Sequence, residues 1–172
     1  KALVKASGYD GTELALFTRI GGSIDGKRAA ELMQADWARV GIKVKVQMME
    51  WGEMLKRTGK GDHDLTFLNW AGDNGDPDNF FTPNLSCDAV TGGGNKSQWC
   101  NKAFEDLIEA AKKTPDAKKR TELYTKAQKV LYDDVGMVPL VYPVSMTAVN
   151  NKVKGFVPNP FANNDFRHVS VE

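Results

Sequence analysis

Histidine is scarce in these 172 residues: there are two, His63 and His168, far apart along the chain. No HxxxH or CxxC spacing exists, so a zinc-type site has no ligand set to draw on. An excess of basic charge is missing as well, since 23 Lys and Arg face 22 Asp and Glu, a net charge of +1. Without such an excess nothing is left to neutralise a phosphate backbone, and nucleic acid is excluded as an expected partner. No apolar run approaches the roughly eighteen residues of a membrane-spanning helix. Catalytic motifs are lacking too. There is no G-x-S-x-G elbow, and neither histidine sits in a context that would activate a nucleophile. The turn Gly59-Lys60 fails as a phosphate loop: too many residues separate it from Gly52, and Gly61 stands where a hydroxyl would meet magnesium.

What remains is an ordinary globular composition, 41% apolar and 26% charged, enough for a domain with a core. The opening residues, up to Gly8 and Tyr9, read as the last turns of a helix closed by a glycine. A chain starting there is expected to be a piece of something longer, without its targeting segment. Cys87 and Cys100 flank a stretch rich in Gly, Asn and Ser. A local disulfide in an oxidising compartment and two unrelated buried thiols both fit that spacing. Asn84-Leu85-Ser86 and Asn95-Lys96-Ser97 match the glycosylation tripeptide, a match too common to carry weight.

The apolar periodicity predicts a strand over residues 12–18, a glycine turn at Gly21-Gly22-Ser23 and a helix over 25–40 that ends at Gly41. Residues 42–46 alternate apolar and charged side chains, which is strand periodicity, and complete a βαβ unit. A short helix over 51–57 and a third strand over 63–70 follow. Two more helices are expected at 102–113 and 116–133, the second with Leu123, Ala127, Val130 and Leu131 on one face. Residues 138–144 read as a buried strand interrupted by Pro139 and Pro143, and the remainder as short strands and turns. The fold class is α/β with a mixed sheet.

One loop concentrates polar groups: Gly72-Asp73-Asn74-Gly75-Asp76-Pro77-Asp78-Asn79. It is no EF-hand, because the order of ligands is wrong and Asn84 stands where the closing glutamate belongs. Paired carboxylates could run hydrolytic chemistry, yet loop aspartates more often form turns and cap helices. Asp73 differs from Asp76 and Asp78 in following the end of an apolar strand, where open α/β folds bind ligands.

From Trp70 through this loop to Phe80-Phe81 the sequence resembles the periplasmic dipeptide-binding proteins of ABC importers, within the peptide- and nickel-binding class of solute receptors. Ala30-Glu31-Leu32-Met33-Gln34, Glu50-Trp51-Gly52-Glu53, Ala103-Phe104-Glu105-Asp106 and Val153-Lys154-Gly155-Phe156 resemble the same family in the same order, so the likeness runs through the whole chain. The resemblance implies a lobe of a two-lobed receptor of the type II periplasmic-binding-protein-like fold. Residues 1–143 would belong to the second, ligand-binding lobe, and 144–172 would return to the first. It implies a short peptide as ligand, an ABC permease of the inner membrane as partner, a periplasmic location, no catalysis and no cofactor. Asp73 matches the family's aspartate for the peptide α-ammonium. Arg19 is the nearest match to the arginine for the carboxylate, displaced by about one position beside Gly21-Gly22-Ser23, which replaces a bulkier segment. Trp70 stands either against the ligand or in the core, and Gly72 and Gly75 let the backbone turn on both sides of Asp73. The periplasm favours the Cys87–Cys100 disulfide. Within the same class, haem or nickel is the alternative ligand. A carboxylate-dependent hydrolase is the alternative from outside it.

Overall fold

Side chains that alternate along β1 (Leu14–Arg19) bury both of its faces: Leu16 and Thr18 on one side, Phe17 on the other, each 1% exposed or less. A strand buried on both faces belongs to a parallel sheet covered by helices. In the computed structural model, which describes residues 1–21, 25–144, 146–161 and 163–172, β1 is the central strand of such a sheet. It pairs in parallel with β2 (Val44–Met49), Leu14 opposite Val44 through Arg19 opposite Met49, and with β3 (Leu65–Thr66) on its other edge. Gly22 and Ser23 of the expected turn, and Ser145, lie outside the described residues.

The connection from β1 to β2 is α2 (Gly26–Val40), as the βαβ reading requires. Asp25 caps it by accepting from the Arg28 amide at 3.0 Å, and Gly41 ends it at φ +96°. Buried Ala30 packs with Leu16 and Val44. At Gly26 a Cβ would lie 2.4 Å from Thr18 Oγ1, so a side chain there would require the Thr18 hydroxyl to move. The opposite face is covered by α3 (Trp51–Lys60), whose Met54 is fully buried and whose Arg57 lies 4.4 Å above the Phe17 ring. The opening helix, α1 (Ala2–Ala6), closes with Gly8 at φ +73°. These elements form one compact unit, Lys1–Asn69, and Trp70–Glu172 forms a second.

The second unit is helical at its centre. Phe104, Ile108 and Ala111 recur at helical spacing on α5 (Lys102–Lys112) and meet Tyr124, Ala127 and Leu131 of α6 (Ala117–Asp133). Leu123 and Val130 flank that buried face. Asn101 and Asp116 cap the two helices, Asn101 accepting from Ala103 and Phe104, Asp116 from Lys119. A further helix, α4 (Asp78–Leu85), was not expected from the sequence and adds Phe81 and Leu85 to the same core. The chain ends in an antiparallel pair, β4 (Val153–Lys154) with β5 (Ser170–Val171). Parallel and antiparallel pairing therefore both occur, in separate sheets.

Cys87 and Cys100 form a disulfide with Cα atoms 4.7 Å apart. The intervening loop is organised by Asn95, 2% exposed, whose amide donates to the Ser86 and Trp99 carbonyls at 3.0 and 2.8 Å. A buried Asn95 also removes the glycosylation match there. Closing a loop of 13 residues should contribute about 3 kcal/mol in the chain-entropy treatment. Replacing both cysteines by serine is expected to lower the denaturation free energy by that order. Thiol titration of the unreduced, denatured parent should find none, and two reactive thiols would contradict the bond.

Two expected strands are absent or short. β3 stops at Thr66; one further ladder bond, from the Phe67 amide to the Phe17 carbonyl, ends the pairing. Leu68 and Trp70 are 43% and 44% exposed, because no second neighbour extends the ladder among the described residues. Residues 138–144 form no strand at all, and Tyr142 and Val144 stand 93% and 83% exposed. An apolar run is a buried strand only where neighbours pair with it and cover it. Among the described residues none does.

Candidate ligand-binding site

The acidic loop lies between β3 and α4, and its three aspartates have different surroundings. Asp76 receives Arg120 Nη2 at 2.7 Å and accepts from the Asp78 amide at 2.9 Å. Donation to the Tyr124 hydroxyl and then to Asp76 pushes the Arg120 pKa further above its ordinary value, so the guanidinium stays charged at any working pH. Asp78 accepts from the Thr82 hydroxyl at 2.6 Å, one turn along α4. Both residues therefore serve the loop and the helix start.

Asp73 has no such commitment. Its carboxylate is exposed and accepts from the Asn79 amide at 3.2 Å, and among the described residues no cation pairs with it. A carboxylate held by a neutral donor and left open on one side can take an ammonium ion. Asn79 also accepts from the Asp73 amide at 3.0 Å and from the Trp70 indole N–H at 3.2 Å. Trp70 is thus tied to the loop, with 44% of its surface open, rather than sunk in the core.

The glycines divide differently from the expectation. Gly75 turns at φ +70°, and a Cβ there would meet the Phe161 ring at 3.3 Å. Gly72 has no positive φ, and a Cβ there would meet only Asn79 Oδ1 at 3.7 Å. The turn requires glycine at Gly75 alone.

In the first unit Arg19 is the last residue of β1, with its guanidinium 5.0 Å from the centroid of Trp51 at the start of α3. A guanidinium over an aromatic ring keeps its charge and its N–H donors, with which it can still meet a carboxylate. In the sequence Trp51 stood only at the start of a short helix and in the family resemblance, and its contact with Arg19 is a finding of the structure. Glu50 fixes Trp51 by capping α3, accepting from Gly52 at 2.7 Å.

A groove of about 280 Å³ lies against α6, bounded by Pro77, Pro115, Arg120 and Tyr124. It includes none of Trp70, Gly72 or Asp73. Asp73 and Trp70 are instead exposed at the surface of the loop, while Pro77 of the same loop borders the groove. Among the described residues no cluster of three or more His, Cys, Asp or Glu could hold a metal ion.

The sequence profile of bacterial extracellular solute-binding proteins, family 5 Middle, matches residues 1–92. The chain belongs to that family. It is 44% identical over its full length to a di/tripeptide-binding protein of Pseudomonas aeruginosa, of which it spans 33%. Over 85% of its length it is 46% identical to the dipeptide-binding protein of Escherichia coli, spanning 27% of that relative. A solved dipeptide-binding protein of a Pseudoalteromonas species, in complex with Met-Leu, superposes with a TM-score of 0.92 at 30% identity, across 99% of this chain and 34% of that one. This family-5 chain is thus part of a type II periplasmic-binding-protein-like fold, and it spans about a third of the length of the curated relatives it matches.

Proposed function

We propose that the chain is part of a periplasmic receptor that captures short peptides of the dipeptide class for an ABC permease, without catalysis and without a cofactor. Residues 1–143 contribute to the second lobe, and 144–172 return to the first. The exposed apolar stretch at 138–144 supports that arrangement, because side chains as open as Tyr142 need a cover in the complete protein. Asp73 anchors the peptide α-ammonium, Arg19 meets its carboxylate, and Trp70 with Gly72 borders the ligand.

The observation that carries this reading is the asymmetry of the acidic loop. Two of its aspartates are engaged with Arg120 and Thr82, while Asp73 has a neutral partner and an open side. A hydrolase would need a second free carboxylate near the first, and Asp76 and Asp78 are already occupied. A zwitterion enclosed between lobes loses its water, so each of its charges requires a fixed opposite charge. Peptide dipeptide-binding relatives and the Met-Leu complex agree in ligand class.

Calorimetry of the full-length receptor with a dipeptide panel tests the proposal: free dipeptides bind, and N-acetylated ones do not. Mass spectrometry of the receptor with its bound ligand separates peptide from haem or nickel. This chain alone is expected to bind dipeptides weakly, since one side of an enclosure leaves the ligand charges hydrated. Sub-micromolar affinity of the isolated chain would contradict that.

A further inference from the structure

Asn79 joins three groups of the loop with one side chain. Its amide nitrogen donates to Asp73 Oδ2 at 3.2 Å, while its oxygen accepts from the Asp73 main-chain N–H at 3.0 Å and from Trp70 Nε1 at 3.2 Å. The orientation of the amide is fixed by chemistry: the backbone and indole N–H groups can only donate, and the carboxylate can only accept. Asn79 itself stands in the first turn of α4, and its own N–H donates to the Asp76 carbonyl at 3.0 Å. The helix is fastened to the core two residues later by Phe81, 6% exposed and edge-to-face with Phe104. A side chain on an anchored helix is a firmer reference than the loop it holds.

We propose that Asn79 is the positioning residue of the ammonium site: it aims the Asp73 carboxylate and aligns Trp70 beside it. The proposal rests on the reading of Asp73 as the ligand anchor. Asn79 touches no ligand in this scheme; it acts through Asp73. Its loss therefore matters most while Asp73 carries its charge, and the smaller part that passes through Trp70 is what should remain once that charge is gone.

The test is a double-mutant cycle on dipeptide affinity in the full-length receptor, with Asn79→Ala, Asp73→Asn and the pair. Alanine suits a helical first turn, so the fold should persist. Asn79→Ala is expected to weaken binding about tenfold, the loss of one hydrogen bond to a charged group. In the Asp73→Asn background the same change should alter affinity by less than about twofold, a non-additivity that a merely structural role would not give. Equal losses in both backgrounds would overturn the positioning role, as would an unaffected Asn79→Ala receptor beside a crippled Asp73→Asn one. An Asp73→Asn receptor that binds like the parent would remove the anchor and this proposal with it. If the alanine variant does not fold, Asn79→Leu takes its place in the cycle, keeping the branched shape and helix propensity without a polar atom.

Discussion

Asp73→Asn in the full-length receptor is expected to weaken dipeptide binding by several hundred-fold or more. Asparagine keeps the shape of the side chain and one acceptor for Asn79, so the loop should stand as before. What it removes is the charge. A peptide ammonium enclosed without a counter-ion costs about 3–5 kcal/mol, which is the stated loss in affinity. Asp78→Asn is the control, because Asp78 works locally: it accepts from Thr82 at the start of α4. That change should leave affinity within a few-fold and lower stability by less than about 1 kcal/mol, because it takes a negative charge from the first turn of α4. Acetylating the peptide amine removes the other member of the pair and should match Asp73→Asn on the unmodified receptor. Tolerance of either change would show that the ammonium is not held at Asp73.

The difference between the three aspartates was partly legible in the sequence. Asp76 and Asp78 were set apart from Asp73 as loop aspartates of the kind that form turns; Asp76 does so by accepting from the Asp78 amide, whereas Asp78 accepts from the Thr82 hydroxyl inside α4. The partner of Asp76 was not legible, since Arg120 lies 44 residues away and nothing local points to it. Nor was the role of Asn79, because an asparagine beside aspartates looks like one more turn former. α4 was hidden for a related reason. Pro77 precedes the segment and Pro83 lies inside it, and prolines so placed read as breakers, although Pro77 at a helix start is favourable and Phe81 with Leu85 gives the helical spacing.

Periodicity served best where elements are covered inside this chain. α2, α5 and α6 were found near their observed bounds because the apolar stripes are long and Gly41 and Asp116 mark an end and a start, while the capping by Asp25 and Asn101 is a finding of the structure. It failed at residues 63–70 and 138–144, where the apolar pattern is real but its cover is not among the described residues. Hydropathy records what a segment must bury against, not whether the partner lies within the sequence at hand.

Phe104→Ala should be the most damaging core substitution in the second unit. The ring is fully buried, 5.7 Å from Phe81 at an edge-to-face angle of 89° and 5.0 Å from Trp99. Its removal forfeits the transfer of a phenyl group and leaves a cavity between α4, α5 and α6 that these helices cannot fully close, a cost of about 3–5 kcal/mol. That is a large share of the 5–15 kcal/mol or so by which a domain is stable. Amide hydrogen exchange in α5 and α6 of the full-length receptor measures it locally; protection should fall by the corresponding factor, and Phe104→Leu should recover more than half. The damage should also reach the ligand. Phe81 fixes α4 against Phe104, and α4 carries Asn79, which holds Asp73. Dipeptide affinity of Phe104→Ala should therefore fall even where the receptor remains folded, and Phe104→Leu should restore most of it. Unchanged protection in α5 and α6 would show that this ring is not the pillar of the unit. Unchanged affinity beside lost protection would show that the loop is held from elsewhere.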